Sequence, residues 1–296
     1  MSFATCIVCG MARVGKTLLS SVLSTSKNVE YAEEPWTAQF FPIAMSNGFF
    51  DESHASLFFS EYIRQLFYET YLLRYANFRL IDLSYIGHKK PKSVIEHRIN
   101  RFKNWVDVKD VSESIFMLNL SGTVRELKFI YDSIPRCKII YVIRHAMSVA
   151  KEIERKKWFC AEALKNPISP SLYKKHKNLF LPFWIKNGEE DFFINLNEFE
   201  KGLYYYNVMV ERSIASEMLS HKDCMIVKYE DFCSNKLRKY EKIKSFLELT
   251  EGDLTESSLA KIEFPKEDFT FDGIVGSTLV EQTNISLKYF GYEELL

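Results

Sequence analysis

The stretch "FATCIVCGMARVGKTLLSSVLS" near the N-terminus constrains the fold more than any other part of this chain. A short apolar run ends at Gly10. The pattern Gly-x-x-x-x-Gly-Lys-Thr then runs from Gly10 to Thr17, and apolar residues at helical spacing follow. Strand, glycine turn and helix in that order make an anion cradle, because the N–H groups of the turn and of the first helical residues converge on one point. Gly10 and Gly15 let the backbone approach phosphate oxygens. Arg13 and Lys16 add full charges, and Thr17 adds a hydroxyl.

The rest of the chain continues the alternation. "NVEYAEEPW" reads as a short second strand ending in acids and a proline. Residues 55–75 have helical recurrence. "NWVDVK", 104–109, reads as a third strand, and 112–135 as a helix pair stopped at Pro135. "CKIIYVIRH" (137–145) is the clearest buried strand and "AMSVAKEIERKK" its following helix. "CMIVKYEDF" (224–232) is another strand, and "SNKLRKYEKIKSFLEL" a capped helix. Strands alternating with helices predict an α/β fold with a mainly parallel central sheet and helices on both faces. A length of 296 residues with 47% hydrophobic composition suits one domain over 1–296, with an aromatic-rich insertion at about 158–200.

Charge and composition narrow the function classes. With 39 basic and 39 acidic residues, nothing favours nucleic acid as a generic partner. The runs Arg155–Lys157 and Lys174, Lys175, Lys177 read as solvated faces. No stretch reaches the ~18 apolar residues of a membrane span. The first core strand begins at Phe3, which leaves no room for a leader, so the expected location is cytoplasmic. Cys6 and Cys9 lie three apart on a strand and so face opposite ways, as buried thiols rather than a metal pair.

ATP chemistry would require an Asp closing a second apolar strand to help hold Mg²⁺. Here "KIIYVIRH" ends in Arg144 and His145, Asp82 lies in the short "RLIDL" run, and Asp231 comes only after Lys228, Tyr229 and Glu230. A basic strand end suits a substrate bearing an additional phosphate and needing no metal.

In this order, the loop, "EP", "VKD", "PRCKIIYVIRH" and "IVKYEDF…KIKSFLEL" resemble the sulfotransferase family, from about Ser2 to "FGYEE" near Glu293. The resemblance is thin over 40–100 and 160–200. It implies a P-loop-containing nucleoside-triphosphate-hydrolase-like fold and the sulfuryl donor 3′-phosphoadenosine 5′-phosphosulfate, used without a metal. It further implies that Arg13, Val14, Gly15, Lys16, Thr17 and Leu18 hold the 5′-phosphosulfate. Arg144 would grip the 3′-phosphate and Tyr229 lie against the adenine. Lys109 would reach the sulfuryl group, and Glu34 would be the general base. Glu33 is the competing carboxylate. The acceptor would be a hydroxyl or amine of a small molecule or glycolipid. Phe40, Phe41, Trp158, Phe183 and Trp184 are its candidate contacts.

This sequence departs from the family pattern at two points. Lys16 stands where the family usually has Thr, and Glu152 stands where it usually has a Ser against the 3′-phosphate. Ser148, one helical turn earlier, is the candidate substitute, and Lys151 or Arg155 the candidate shield for Glu152. Two rival readings remain. A deoxynucleoside-kinase-like enzyme using ATP and Mg²⁺ would share the loop, "EEPW" and "ERS" at 211–213, although "ERS" falls after rather than before the central strand. A nucleotide-binding protein without turnover would explain Glu152.

Overall fold

The computed structural model describes residues 3–108, 111–167, 172–263 and 275–295. In chain order, β1 (Ala4–Cys9) leads to α1 (Lys16–Leu23), β2 (Val29–Ala32), α2 (Trp36–Ser46), α3 (Glu52–Tyr71) and α4 (Lys92–Arg101). Then come β3 (Ile115–Leu120), α5 (Leu127–Ser133), β4 (Cys137–Ile143), α6 (Ala146–Arg155) and α7 (Ala161–Lys165). The chain continues through β5 (Tyr173–His176), β6 (Leu179–Pro182), α8 (Glu190–Asn195) and α9 (Glu198–Ala215). It closes with β7 (Cys224–Lys228), α10 (Tyr229–Ser234), α11 (Lys236–Leu247), α12 (Thr255–Ala260) and α13 (Ser277–Tyr289). No helix among the described residues is long and apolar enough to cross a membrane.

The chain divides into two compact units. The first comprises the described residues of Met1–Ile143 and Ser216–Pro265. Its centre is a five-stranded sheet of order β2-β3-β1-β4-β7, with every neighbouring pair parallel, flanked by helices. β1, β3 and β4 are buried almost throughout, which is why their sequences are near-continuous apolar runs. From β1 the chain winds outward to β2, returns to β3, then crosses to β4 on the other side of β1. The winding therefore reverses beside β1, where such sheets bind ligands at the carboxyl ends of the strands.

Three sequence expectations need correction. The strand read over 224–232 ends at Lys228, and Tyr229–Ser234 is the helix α10. The first half of 112–135 is not a helix: Ile115–Leu120 is β3, which pairs with β1 on one side and β2 on the other. All six residues are buried, and an apolar run buried on both faces carries no periodicity to distinguish strand from helix. The 104–109 strand is instead a 3₁₀ turn over Trp105–Asp107. Asp107 Oδ2 accepts from the N–H of Lys103 (2.8 Å) and Asn104 (3.0 Å), and Asn104 Oδ1 accepts from Val106 N–H (3.0 Å), so capping curls the chain locally.

The edge strand β2 is anchored by a buried ionic cluster. Arg98 of α4 donates twice to the Glu30 carboxylate (2.8 and 2.7 Å), and Lys90 lies 3.4 Å from it. Burial alone would raise the Glu30 pKa, but Lys90 and Arg98 outweigh it and hold the carboxyl below its ordinary value. The Lys90 ammonium also caps the carbonyls of Ser26, Lys27 and Val29.

The second unit comprises the described residues of Arg144–Ala215 and Lys266–Leu296. α6 and α13 both pack on α9. Gly202 of α9 lies so close to Ala150 of α6 that a Cβ there would stand 2.7 Å from the Ala150 Cα. The aromatics of 158–205 largely form this unit's own core: Trp184 stacks edge-on with Phe159 (5.5 Å) and Phe193 (5.7 Å) and is buried. Trp158 is half-exposed, and Phe183 lies under the Arg212 guanidinium. Glu211 of "ERS" is exposed on α9 and paired with Lys186 (2.5 Å), as a helix-surface charge.

Candidate active site

The glycine loop is shaped by two close approaches. Gly10 has φ +132°, and a Cβ there would lie 2.3 Å from the Val142 carbonyl oxygen of β4. Gly15 has φ +90° and caps α1; a Cβ on it would run into the Tyr229 ring at 2.2 Å. Only glycine satisfies both the dihedral and the space at these positions. The contact also places Tyr229, the first residue of α10, directly on the loop.

Lys16 is almost fully buried, and its ammonium donates to the Met11 carbonyl across the loop (2.7 Å). Burial lowers its pKa. Glu34 and the Cys9 thiol work against that shift, and Arg13 adds to it. The two cations and the carboxylate expected from the sequence therefore sense one another around one loop. Arg13 is half-buried with φ 69°, Val14 is buried, and Thr17 and Leu18 are half-buried on the first turn of α1.

Glu34 follows β2 by two residues. Its φ is 38°, although it precedes Pro35 and is not a glycine. Both Arg13 and Glu34 are thus held in the left-handed region, where non-glycine residues concentrate at functional positions. Glu34 Oε1 accepts from Ser121 Oγ at 2.6 Å. Ser121 directly follows β3, and its N–H and that of Gly122 donate to Gln39 Oε1 (3.2 and 3.0 Å). β1 and β3 end level, with Cys9 opposite Leu120, and β2 ends two residues short of them, with Ala32 opposite Leu118; the loop, Glu34 and Ser121 thus all follow strand ends on one edge of the sheet.

A polar relay lies beneath. Ser20 of α1 donates to Asn119 of β3 (2.5 Å), and Asn119 donates to the Tyr31 hydroxyl (2.8 Å). Lys89 places its ammonium 4.7 Å above the Tyr31 ring and donates to Ser24 Oγ and the Leu83 carbonyl, both at 3.1 Å. Burial pushes its pKa down to about 8, with Glu33 opposing.

Arg144 directly follows β4 and opens the second unit. His145 caps α6, its Nδ1 accepting from Met147 N–H (3.3 Å). Ser148 is buried in the first turn of α6. Arg155 grips Glu152 through two hydrogen bonds, 3.0 and 2.9 Å, so that carboxylate does carry its own cation. Lys109 lies outside the described residues. Sequence reasoning missed Ser121, Gln39, Asn119, Tyr31 and Lys89. Reading 112–135 as helical hid the strand end that delivers Asn119 and Ser121.

No family model matches this chain, and no curated protein sequence does. Solved structures do. The sulfotransferase domain from the curacin biosynthetic pathway aligns over 99% of both chains at 12% identity, with TM-score 0.55. The sulfotransferase domain from the olefin synthase of Synechococcus PCC 7002 aligns over 99% of this chain and 96% of its own at 10% identity, with TM-score 0.54. The sulfotransferase STF9 from Mycobacterium avium aligns over 99% of this chain and 78% of its own at 12% identity, with TM-score 0.51. The chain has the sulfotransferase fold along essentially its whole length.

Proposed function

We propose that this chain is a sulfotransferase that moves a sulfuryl group from 3′-phosphoadenosine 5′-phosphosulfate to a hydroxyl or amine of a small-molecule or glycolipid acceptor. The observation that carries this reading is the joining of an anion loop bearing Arg13 and Lys16 to a strained carboxylate, Glu34, held by Ser121 at the same sheet edge.

Loop residues Arg13 to Leu18 fit the 5′-phosphosulfate: their N–H groups cradle its oxygens, Thr17 adds a hydroxyl, and Lys16 has only to release the Met11 carbonyl to reach an anion. Tyr229, already against Gly15, is assigned the adenine. Arg144, with Ser148 one turn along, is assigned the 3′-phosphate. The pairing of Glu152 with Arg155 lessens the repulsion that a bare carboxylate would offer.

In the reaction, the acceptor oxygen attacks sulfur as the bond from sulfur to the bridging phosphate oxygen breaks. Glu34 takes the acceptor's proton, and 3′-phosphoadenosine 5′-phosphate leaves with the electron pair. Charge grows on the bridging oxygen during this step, so the cations Arg13 and Lys16, joined by Lys109 as the resemblance implies, would favour the transition state over the ground state. The chemistry needs no metal in this proposal, and no membrane span or nucleic acid. The cytoplasm is the proposed location.

The deciding measurement compares melting temperatures in 3′-phosphoadenosine 5′-phosphate and in ATP with Mg²⁺, since a ligand bound only by the folded state stabilises it. The former is expected to raise the melting temperature more. Arg144→Ala is expected to remove most of its advantage over the nucleotide lacking the 3′-phosphate. Stabilisation by ATP–Mg²⁺ alone would instead identify a kinase, and nucleotide binding with no sulfuryl transfer to any acceptor would identify a binding protein.

A further inference from the structure

Asn119 is the one polar residue of β3, and both it and Ser20 of α1 are fully buried. An amide taken out of water must have both its ends met by partners. Here the partners come from two other elements. Ser20 Oγ donates to Asn119 Oδ1 (2.5 Å), and Asn119 Nδ2 donates to Tyr31 Oη of β2 (2.8 Å). A leucine in this strand would fill the space with no partners at all. The amide instead makes the placement of β3 depend on that of α1 and β2.

These three residues form a layer just beneath the proposed site. Ser20 lies four residues beyond Lys16 on one face of α1, a step of ~6 Å along the helix. Asn119 lies two residues before Ser121, and Tyr31 two before Glu33 and three before Glu34, and two strand residues span ~6–7 Å. Helix and strand steps match, so the relay joins, one layer down, the same three elements that deliver Lys16, Ser121 and Glu34. Tyr31 stands opposite Met117 in the register, which places its side chain on the sheet face of Met117 and Asn119. Ser24, the next position on that face of α1, is held too. Lys89 donates to its Oγ (3.1 Å), and the same ammonium lies 4.7 Å from the centre of the Tyr31 ring. Both the hydroxyl and the ring of Tyr31 are thereby tied to α1.

The tie matters because β2 is an edge strand, reached from β1 only across β3. Sliding or twisting of that edge would change the distance from Glu34 to the anion loop, and a displacement of about 1 Å can cost on the order of a hundredfold in rate. We infer that Asn119, with Ser20 and Tyr31, positions the base: the relay fixes the strand that carries Glu34 against the helix that carries Lys16. All three act through Glu34 rather than on the reacting atoms. The inference rests on the sulfotransferase reading, which gives Glu34 the acceptor's proton.

The test follows radiolabelled sulfuryl transfer from 3′-phosphoadenosine 5′-phosphosulfate to water, phenol and benzylamine, and compares variants in the fastest of these reactions. Y31F removes only the hydroxyl that accepts from Asn119. Its kcat is expected to fall about tenfold or more, while KM for the donor and affinity for 3′-phosphoadenosine 5′-phosphate stay within about twofold. Added to E34Q, Y31F is expected to cost less than about twofold, because a positioning effect disappears with the group it positions. S20A, which removes the other hydrogen bond and suits a helix, is expected to behave alike, and it carries the test if Y31F does not fold. Equal losses in the wild-type and E34Q backgrounds, a loss confined to donor affinity, or unchanged kcat in the folded variants would overturn the inference. Wild-type protein that releases no sulfuryl group, even to water, would overturn the sulfotransferase reading and this inference together. Wild-type transfer matched by the folded variants would overturn this inference alone.

Discussion

Glu33 and Glu34 are adjacent and chemically alike, yet the fold separates their tasks. Glu34 sits in a left-handed conformation, hydrogen-bonded to Ser121 and electrostatically coupled to Lys16. Glu33 lines a neighbouring cavity. Replacing Glu34 by Gln keeps the shape and removes the proton acceptor. Turnover is therefore expected to fall at least a hundredfold, within the range associated with general bases, while the affinity for 3′-phosphoadenosine 5′-phosphate stays within about twofold in a direct titration. Unchanged turnover would move the role to Glu33. The residue types around the loop were legible in the sequence because a glycine loop followed by Lys-Thr has few other physical uses. Ser121 and Gln39 were not, since their roles depend on backbone from three different elements meeting at one edge.

Among the elements, β2 is short, lies at the sheet edge and carries both carboxylates just past its end. Its placement relies on Glu30, Arg98 and Lys90, a cluster that ties the strand to α4 and the segment before it. Glu30→Ala would leave two buried cations without their carboxylate. Breaking a buried pair in this way destabilises by about 3–5 kcal/mol, so the variant should show a urea midpoint lowered accordingly. A loss of less than about 1 kcal/mol would mean that the cluster is solvated. β3 illustrates why some elements were hidden: "IFMLNL" is apolar at every position but one, and Asn119 is buried because Ser20 and Tyr31 satisfy it from other elements. By contrast, β1, β4 and β7 were recognisable because each abuts a turn signal or a charged strand end.

For the whole molecule, the buried Lys89 makes stability depend on pH. Its folded pKa is about 8 against an ordinary 10.5, so the folded chain sheds this proton at lower pH than the unfolded chain does. Between those values the unfolded state binds more protons, and the Lys89 contribution to stability rises with pH; below about 8 its penalty is constant. The rise is on the order of 3 kcal/mol. The buried thiols Cys6 and Cys224, both pushed up to about 12 by burial, act in the opposite sense above pH 9, so the useful comparison is with Lys89→Met. The stability difference between wild type and variant should shift in favour of wild type from pH 7.5 to 10. A constant difference would show that Lys89 titrates normally.

From the sequence alone came the anion loop, the alternation of strands and helices, and a basic end to the central strand, because each is written in local patterns of glycine, charge and apolar spacing. Tertiary structure alone decided that 115–120 is a strand inside the sheet, and that Ser121 restrains Glu34 while Glu33 lines a cavity. Each of these depends on which segments meet in space. Their partners lie tens of residues apart in the chain, beyond the reach of any local pattern.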